Sequence, residues 1–367
     1  MHVRRLPRRS SQHPAFTLAT LLALLYLFFV SIALMSSSIT FFGKDFAEKL
    51  LTTTANPFVG LLIGIVATSL IQSSSTTTSM VVSLVAADAL SLQGAIPIVM
   101  GANVGTSVTN TLVAVAQIGR AQEFRRSFAA ATVHDFFNLI AIVILFPIQV
   151  TTDFLGITAG FLENVFGQLG GLTLANPLKT ATKPVVGALE ATTGQSGPLL
   201  LMLAFVLLFL SLRYIVILLK TLVIGKVEAF FTEKLFRNAG TALIFGFVLT
   251  LMVQSSSITT SLAVPLAGAG ILTIRQIFAM TLGANAGTTF TAILASLITG
   301  SQIAVTVAFS HLVFNVVGIL LIWPIQRVPI FLAESLATWA VKYKALPLLY
   351  IGIVFFLLPL IGIYLGG

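Results

Sequence analysis

The sequence predicts an all-α membrane protein made of two inverted-topology repeats. Each repeat holds a re-entrant helical hairpin and a broken transmembrane helix, and one extra C-terminal helix follows. Three observations carry this. Of the 367 residues, 57% are hydrophobic and only 8% charged, against roughly 25% charged in a soluble domain. Apolar stretches long enough to span run at 16–36, 94–118, 127–149, 198–221, 276–299, 303–325 and 346–365. Finally, residues 72–111 align without gaps on residues 254–293, with 17 identities in 40 positions.

The elements follow in chain order. A basic arm, residues 1–15, is expected in the cytoplasm, and the run Phe16–Met35 is too long for the apolar core of a cleaved signal peptide. Two apolar zones, 58–90 and 240–273, are each cut near the middle by a hydroxyl-rich octet, "QSSSTTTS" from Gln72 and "QSSSITTS" from Gln254. Each half of these zones falls short of the ~20 residues a crossing needs. Two half-length helices joined by a polar turn make a re-entrant hairpin, tolerated where protein or a watery cavity surrounds it. The amphipathic stretches 43–51, 226–236 and 328–344 are expected to lie along the interface.

The first repeat is then 16–149 and the second 198–326. Residues 150–197 form an external loop between them, and 327–367 supply an interfacial helix and the final crossing. With the N-terminus inside, fifteen Lys and Arg fall on the cytoplasmic side and four outside, with Arg213 within a span. That bias fixes the orientation. It also accounts for the net charge of +9 without nucleic acid. The chain has no Cys, which excludes a disulfide framework and a thiolate metal site. Three crossings per half is an odd number, so the second half enters from the opposite face, an architecture of many secondary transporters.

The chemistry concentrates in three constellations. The octet serines precede the second helix of each hairpin, where Ser is a favoured N-cap and first-turn amides are free. Such a terminus receives phosphate, sulfate or carboxylate, whereas the bland alternative is hydroxyls gluing close-packed helices. "GANVGT" (101–106) and "GANAGT" (283–288) place two glycines around an Asn in mid-span. They are expected to unwind the helix and free carbonyls for a hard cation, the alternative being close helix packing. In "HDFFN" (134–138), Asp135 is the one carboxylate well inside a span, and a bound cation or proton is its natural partner. The second half has Leu312 there, so any role of Asp135 is asymmetric. His134 and His311 read as hydrogen-bonded packing residues, Arg213 as snorkelling and Asp88 as an interfacial charge.

The duplicated "QSSS", the pair "GANVGTSVTNT" and "GANAGTTFTAI", and "EFRRSFAAATVHDFFN" resemble the type II sodium-coupled phosphate cotransporters, over about residues 58–365. The resemblance implies sodium-driven phosphate uptake across the plasma (inner) membrane, sodium being co-transported, with elevator-like alternating access. It puts the substrate and sodium region on Gln72, Ser73, Ser74 and Ser75 and on Gln254, Ser255, Ser256 and Ser257, with Asn103 and Asn285 as further substrate candidates. The sodium candidates are Gln72, Thr106, Thr109, Asp135, Asn138, Gln254, Thr288 and Thr291. Asp135 occupies the place that marks the charge-moving members. The external-loop disulfide of the vertebrate relatives cannot form here without Cys.

The expected partners are phosphate, sodium and the lipid bilayer, with a homodimer as the assembly and no nucleic acid. Competing readings are a sodium-coupled carrier of another oxyanion or dicarboxylate, a channel, and an intramembrane hydrolase built on Ser, His134 and Asp135. Adjacent residues on one helix point about 100° apart, which disfavours the hydrolase.

Overall fold

The computed structural model describes residues 14–42, 44–168, 175–230 and 238–366, and these are helical almost throughout. The expected arm up to residue 13, and residues 231–237 of the second amphipathic stretch, lie outside the described residues. The helices of the first half are α1 (Pro14–Thr40), α2 (Lys44–Thr53), α3 (Pro57–Ile71), α4 (Ser74–Ala86), α5 (Leu92–Gly105), α6 (Val108–Val115) and α7 (Ala121–Thr152). Then come α8 (Phe154–Gln168), α9 (Ala175–Thr192), α10 (Gly197–Phe230), α11 (Ala239–Val253), α12 (Ser256–Gly268), α13 (Ile274–Thr299) and α14 (Gln302–Ile322). The chain closes with α15 (Arg327–Lys342), α16 (Leu346–Ile351), a π-helical turn (Gly352–Leu357) and α17 (Leu358–Gly366).

Seven segments are long and apolar enough to cross a membrane: Ala15–Thr40, Leu92–Val115, Ala121–Thr152, Gly197–Leu219, Ile274–Thr299, Gln302–Ile322 and Leu346–Gly366. Each overlaps one of the seven apolar stretches of the sequence. The half-length pieces are also helical, α3 and α11 at 15 residues each and α4 and α12 at 13. Their ends are written locally. Asn56 caps α3 by accepting from the Phe58 amide at 3.0 Å, with Pro57 in the first turn. Asn238 and Thr241 form a reciprocal capping box on α11.

Packing repeats between the halves. Helix α3 lies along α5, and α11 lies along α13. A Cβ on Gly101 would collide with the Leu61 carbonyl, and one on Gly283 with the Leu243 carbonyl. One turn on, a Cβ on Gly105 would stand 2.6 Å from the Ile65 carbonyl oxygen, and one on Gly287 2.7 Å from that of Phe247. The motif glycines therefore serve close backbone packing. This corrects the expected unwinding: Gly283 and Gly287 lie inside an unbroken α13, and α5 is whole through Gly101. Only the first copy is interrupted, at Thr106–Ser107, between α5 and α6.

A second correction concerns 150–197, expected as a loop, which holds α8 and α9. Leu155, Ala159 and Glu163 of α8 are buried at helical spacing, a periodicity that the Thr and Gly content obscured. Helix α8 packs on α14, and α9 packs on α1. Across the molecule, α4 lies against α13 and α14, while α12 lies against α6 and α7. Each half-length second helix thus packs on spans of the opposite half. Helices α1 and α10 pack on each other, and their apolar residues join a cluster with α9 and parts of α4 and α5.

Candidate functional site

The two octets fold alike. Gln72 and Gln254 each end a helix in the left-handed region, at φ 60° and 56°. Each then gives way to an extended Ser, Ser73 or Ser255, that caps the next helix. Ser73 Oγ accepts from the Thr76 amide at 3.2 Å, and Ser255 Oγ from the Ile258 amide at 3.4 Å. Ser74, Ser75, Ser256 and Ser257 form the first turns, buried, and their amides have no intrahelical acceptor. Thr68 donates to Thr77 at 3.0 Å across the first turn, and Thr250 to Thr259 at 2.8 Å across the second.

Each Gln is clamped at both ends of its amide. Gln72 Nε2 donates to the Ser69 carbonyl at 2.6 Å, and its Oε1 accepts from Thr109 at 2.6 Å. Gln254 does the same with the Leu251 carbonyl at 2.6 Å and with Thr291 at 2.7 Å. The structure therefore brings Gln72 to Thr109 and Gln254 to Thr291, joining four of the candidate residues in pairs 37 residues apart in sequence. Thr106 and Thr288 instead turn back on the Ala102 and Ala284 carbonyls, both at 3.0 Å.

A buried amide–imidazole network joins the halves. His134 Nε2 donates to Asn285 Oδ1 at 2.7 Å, and Asn285 Nδ2 donates to Asn138 Oδ1 at 2.9 Å. Asn138 Nδ2 reaches the Asn103 carbonyl at 2.8 Å. From the other side, His311 Nε2 and Asn315 Nδ2 both approach Asn103 Oδ1 at 3.3 Å. An amide oxygen can only accept, so both imidazoles carry the proton on Nε2. The two Nδ1 atoms and Asn315 Oδ1 are buried with no partner among the described residues. The histidines hold the motif asparagines of the opposite half, in keeping with their reading as hydrogen-bonded packing residues. Asn110 adds another tie, accepting from Thr260 at 3.0 Å.

Asp135 is fully buried and faces no cationic side chain among the described residues. Tyr350 donates to its Oδ2 at 2.9 Å. His134 and Asp135 thus point to different partners, and no Ser–His–Asp relay exists among the described residues. Sequence reasoning missed Tyr350, for a single Tyr in an apolar helix carries no pattern. No group of three or more His, Cys, Asp or Glu gathers among the described residues. The donors present are hydroxyl, amide and carbonyl oxygens, which suit hard cations. A cavity of about 550 Å³ lies elsewhere, between the start of α7, the α12–α13 turn and α15, and holds none of the predicted residues.

The chain matches the family model described as Na+/Pi-cotransporter over residues 27–174 and 206–362. It belongs to that family. Among similar proteins is sodium-dependent phosphate transport protein 2B of Homo sapiens, 33% identical over 451 residues, covering 95% of this chain and 65% of that protein. The same protein of Pongo abelii is 33% identical, with 95% and 66% covered. Sodium-dependent phosphate transport protein 2A of Mus musculus is 34% identical over 429 residues, with 95% and 67% covered. The chain spans about two thirds of the length of these relatives. No solved structure matches it significantly. The family match takes in both octets, both glycine–asparagine motifs, Asp135 and Tyr350, so all the bonds above lie within matched residues.

Proposed function

We propose that the chain is a sodium-coupled symporter that imports inorganic phosphate across the plasma membrane. The observation that carries this is the duplicated turn: a clamped Gln beside two free first-turn amides, in a chain of this family. Phosphate would meet the amides and hydroxyls of Ser73–Ser75 and Ser255–Ser257, with Asn103 and Asn285 as further ligands. Neither half-length pair (57–86 and 239–268) contains Lys or Arg. A desolvated dianion there needs co-bound cations. Sodium would be held by Gln72 with Thr109, by Gln254 with Thr291, and by Asp135 with Asn138, while Thr106 and Thr288 lend oxygens from the same helices. Asp135 adds a charge that makes transport electrogenic.

In this reading the half-length pairs are re-entrant hairpins of two inverted repeats, and the N-terminus is cytoplasmic. The hairpins and the spans they cross move as one body against α1 and α10, the elevator motion, in which α1 and α10, packed on each other, slide along the α4, α5, α13 and α14 residues that share their apolar cluster. The apolar outer faces contact lipid, and two copies pair in the membrane. Crosslinking in native membranes checks the pairing: a single band at the monomer mass contradicts it.

The decisive experiment is radiolabelled phosphate uptake into proteoliposomes with and without an inward sodium gradient. Uptake should require the gradient and stop when choline replaces sodium. Uptake indifferent to that swap overturns the proposal. Competition by sulfate or succinate stronger than by unlabelled phosphate reassigns the substrate.

A further inference from the structure

Asp135 is enclosed by an element that belongs to neither repeat. Tyr350 is the penultimate residue of α16, two before the start of the π-helical turn Gly352–Leu357. Such wide turns often mark functional positions in helices. The Tyr350 ring lies edge-on to Phe355, centroids 5.8 Å apart, and Phe355 is fully buried. The ring is thereby fixed, and its hydroxyl donates to Asp135 Oδ2 at 2.9 Å. Ser107, at the break between α5 and α6, stands beside the same carboxylate, and its hydroxyl donates to the Val104 carbonyl at 2.9 Å. Asp135 Oδ1 is buried and accepts no hydrogen bond among the described residues.

We propose that Tyr350 is a positioning residue. It ties down Oδ2, stops the carboxylate rotating, and leaves Oδ1 alone to face a sodium ion. This rests on the reading of Asp135 as a sodium ligand. A carboxylate without that tether can turn, or offer both oxygens at once. The tether makes it a one-oxygen ligand set in advance. The device exists once, because Leu312 replaces Asp135 in the second half and α16 follows both repeats. It makes the terminal helix part of the sodium site, so the carboxylate cannot turn without breaking its bond to that helix.

The test is Tyr350→Phe in the full chain, expressed in oocytes under voltage clamp, with sodium varied at saturating phosphate. Half-saturating sodium should rise about tenfold, the low end for losing an outer hydrogen bond to a metal ligand. Maximal current per surface transporter should stay unchanged. A merely structural role would lower the number of transporters and leave half-saturation in place. Phe355→Leu keeps the hydroxyl but frees the ring, and should shift half-saturation in the same direction by less. This second variant decides the matter should Tyr350→Phe fail to reach the surface. Half-saturating sodium within about twofold of the parent, below any such effect, overturns the proposal. Asp135→Asn separates the underlying reading: full phosphate-free charge movement in that variant rejects Asp135 as a ligand. With charge movement lost, adding Tyr350→Phe to Asp135→Asn should leave half-saturating sodium for the uptake of labelled phosphate unchanged. An additional rise would place the tyrosine's action elsewhere and overturn the proposal.

Discussion

Replacing Gly287 by Ala tests whether the glycine–asparagine motifs are packing devices or points of unwinding. A Cβ there would stand 2.7 Å from the Phe247 carbonyl oxygen, 2.9 Å from Thr250 Cβ and 3.2 Å from the Leu251 amide. Ordinary contact begins at 3.4 Å, so α11 must move off α13 by about 3.4 − 2.7 = 0.7 Å. The atoms in the way are mostly backbone and cannot rotate aside. Overpacking of this kind costs about 1–3 kcal/mol, and Ala's better helix propensity returns about 1 kcal/mol. The net loss is about 0–2 kcal/mol, up to roughly a 30-fold change in the folding equilibrium. Gly283→Ala should be worse, since its Cβ would collide with the Leu243 carbonyl outright. Gly187→Ala, in α9 with nothing within 4 Å, is the control and should be neutral or mildly stabilising. Thermal unfolding of the purified protein in detergent, followed by size-exclusion fluorescence, ranks the three. Gly287→Ala and Gly283→Ala melting with the parent would refute the packing argument and revive unwinding.

Three functional variants bear on the site. Ser74→Ala or Ser256→Ala removes a hydroxyl from a first turn, and half-saturating phosphate should rise about 10- to 100-fold, as for hydrogen bonds to charged groups; normal uptake in both rejects the paired-turn site. Thr109→Val and Thr291→Val each break one Gln clamp, at 2.6 and 2.7 Å, and each should weaken sodium activation with phosphate affinity little changed at saturating sodium. An unaltered sodium curve in both removes the clamps from the coupling scheme. Asp135→Gly should silence the phosphate-evoked current while some electroneutral uptake of labelled phosphate persists. A full current in that variant excludes Asp135 from charge movement.

What the sequence disclosed depended on repetition. The octets stood out because seven of eight letters recur inside apolar zones, and half-length helices on either side follow from the ~20-residue requirement for a crossing. The Thr109 and Thr291 contacts were within reach because both threonines sit at equal separation from their glutamines. The motif glycines misled for a physical reason. Gly weakens an isolated helix, but close approach of a second backbone reverses that preference, and the partner's carbonyl is invisible in a single sequence. Residues 150–197 hid their helices for a different reason: sparse buried positions such as Leu155 and Ala159 gain meaning only from the neighbours they pack on, α14 foremost. Tyr350 gave no sign at all. Its significance lies wholly in a bond to a residue 215 positions away.

The division between what repeats and what does not is itself informative. Clamped glutamines, capping serines and threonine pairs occur twice, while Asp135, Ser107 at the helix break and Tyr350 converge once. A guest held equally by both halves needs equal surroundings, and the two octet turns supply them. They supply no formal charge, since residues 57–86 and 239–268 lack Lys and Arg. At an effective dielectric of 20, each unit charge placed 4 Å from a dianion contributes about 8 kcal/mol, twice the value for a unit pair. Helix termini carry only half-charges and cannot match that alone. In the proposed function, sodium supplies the cation that residues 57–86 and 239–268 lack. On the same proposal, the single carboxylate, bonded to Tyr350 of α16, would add its charge without unbalancing the paired turns.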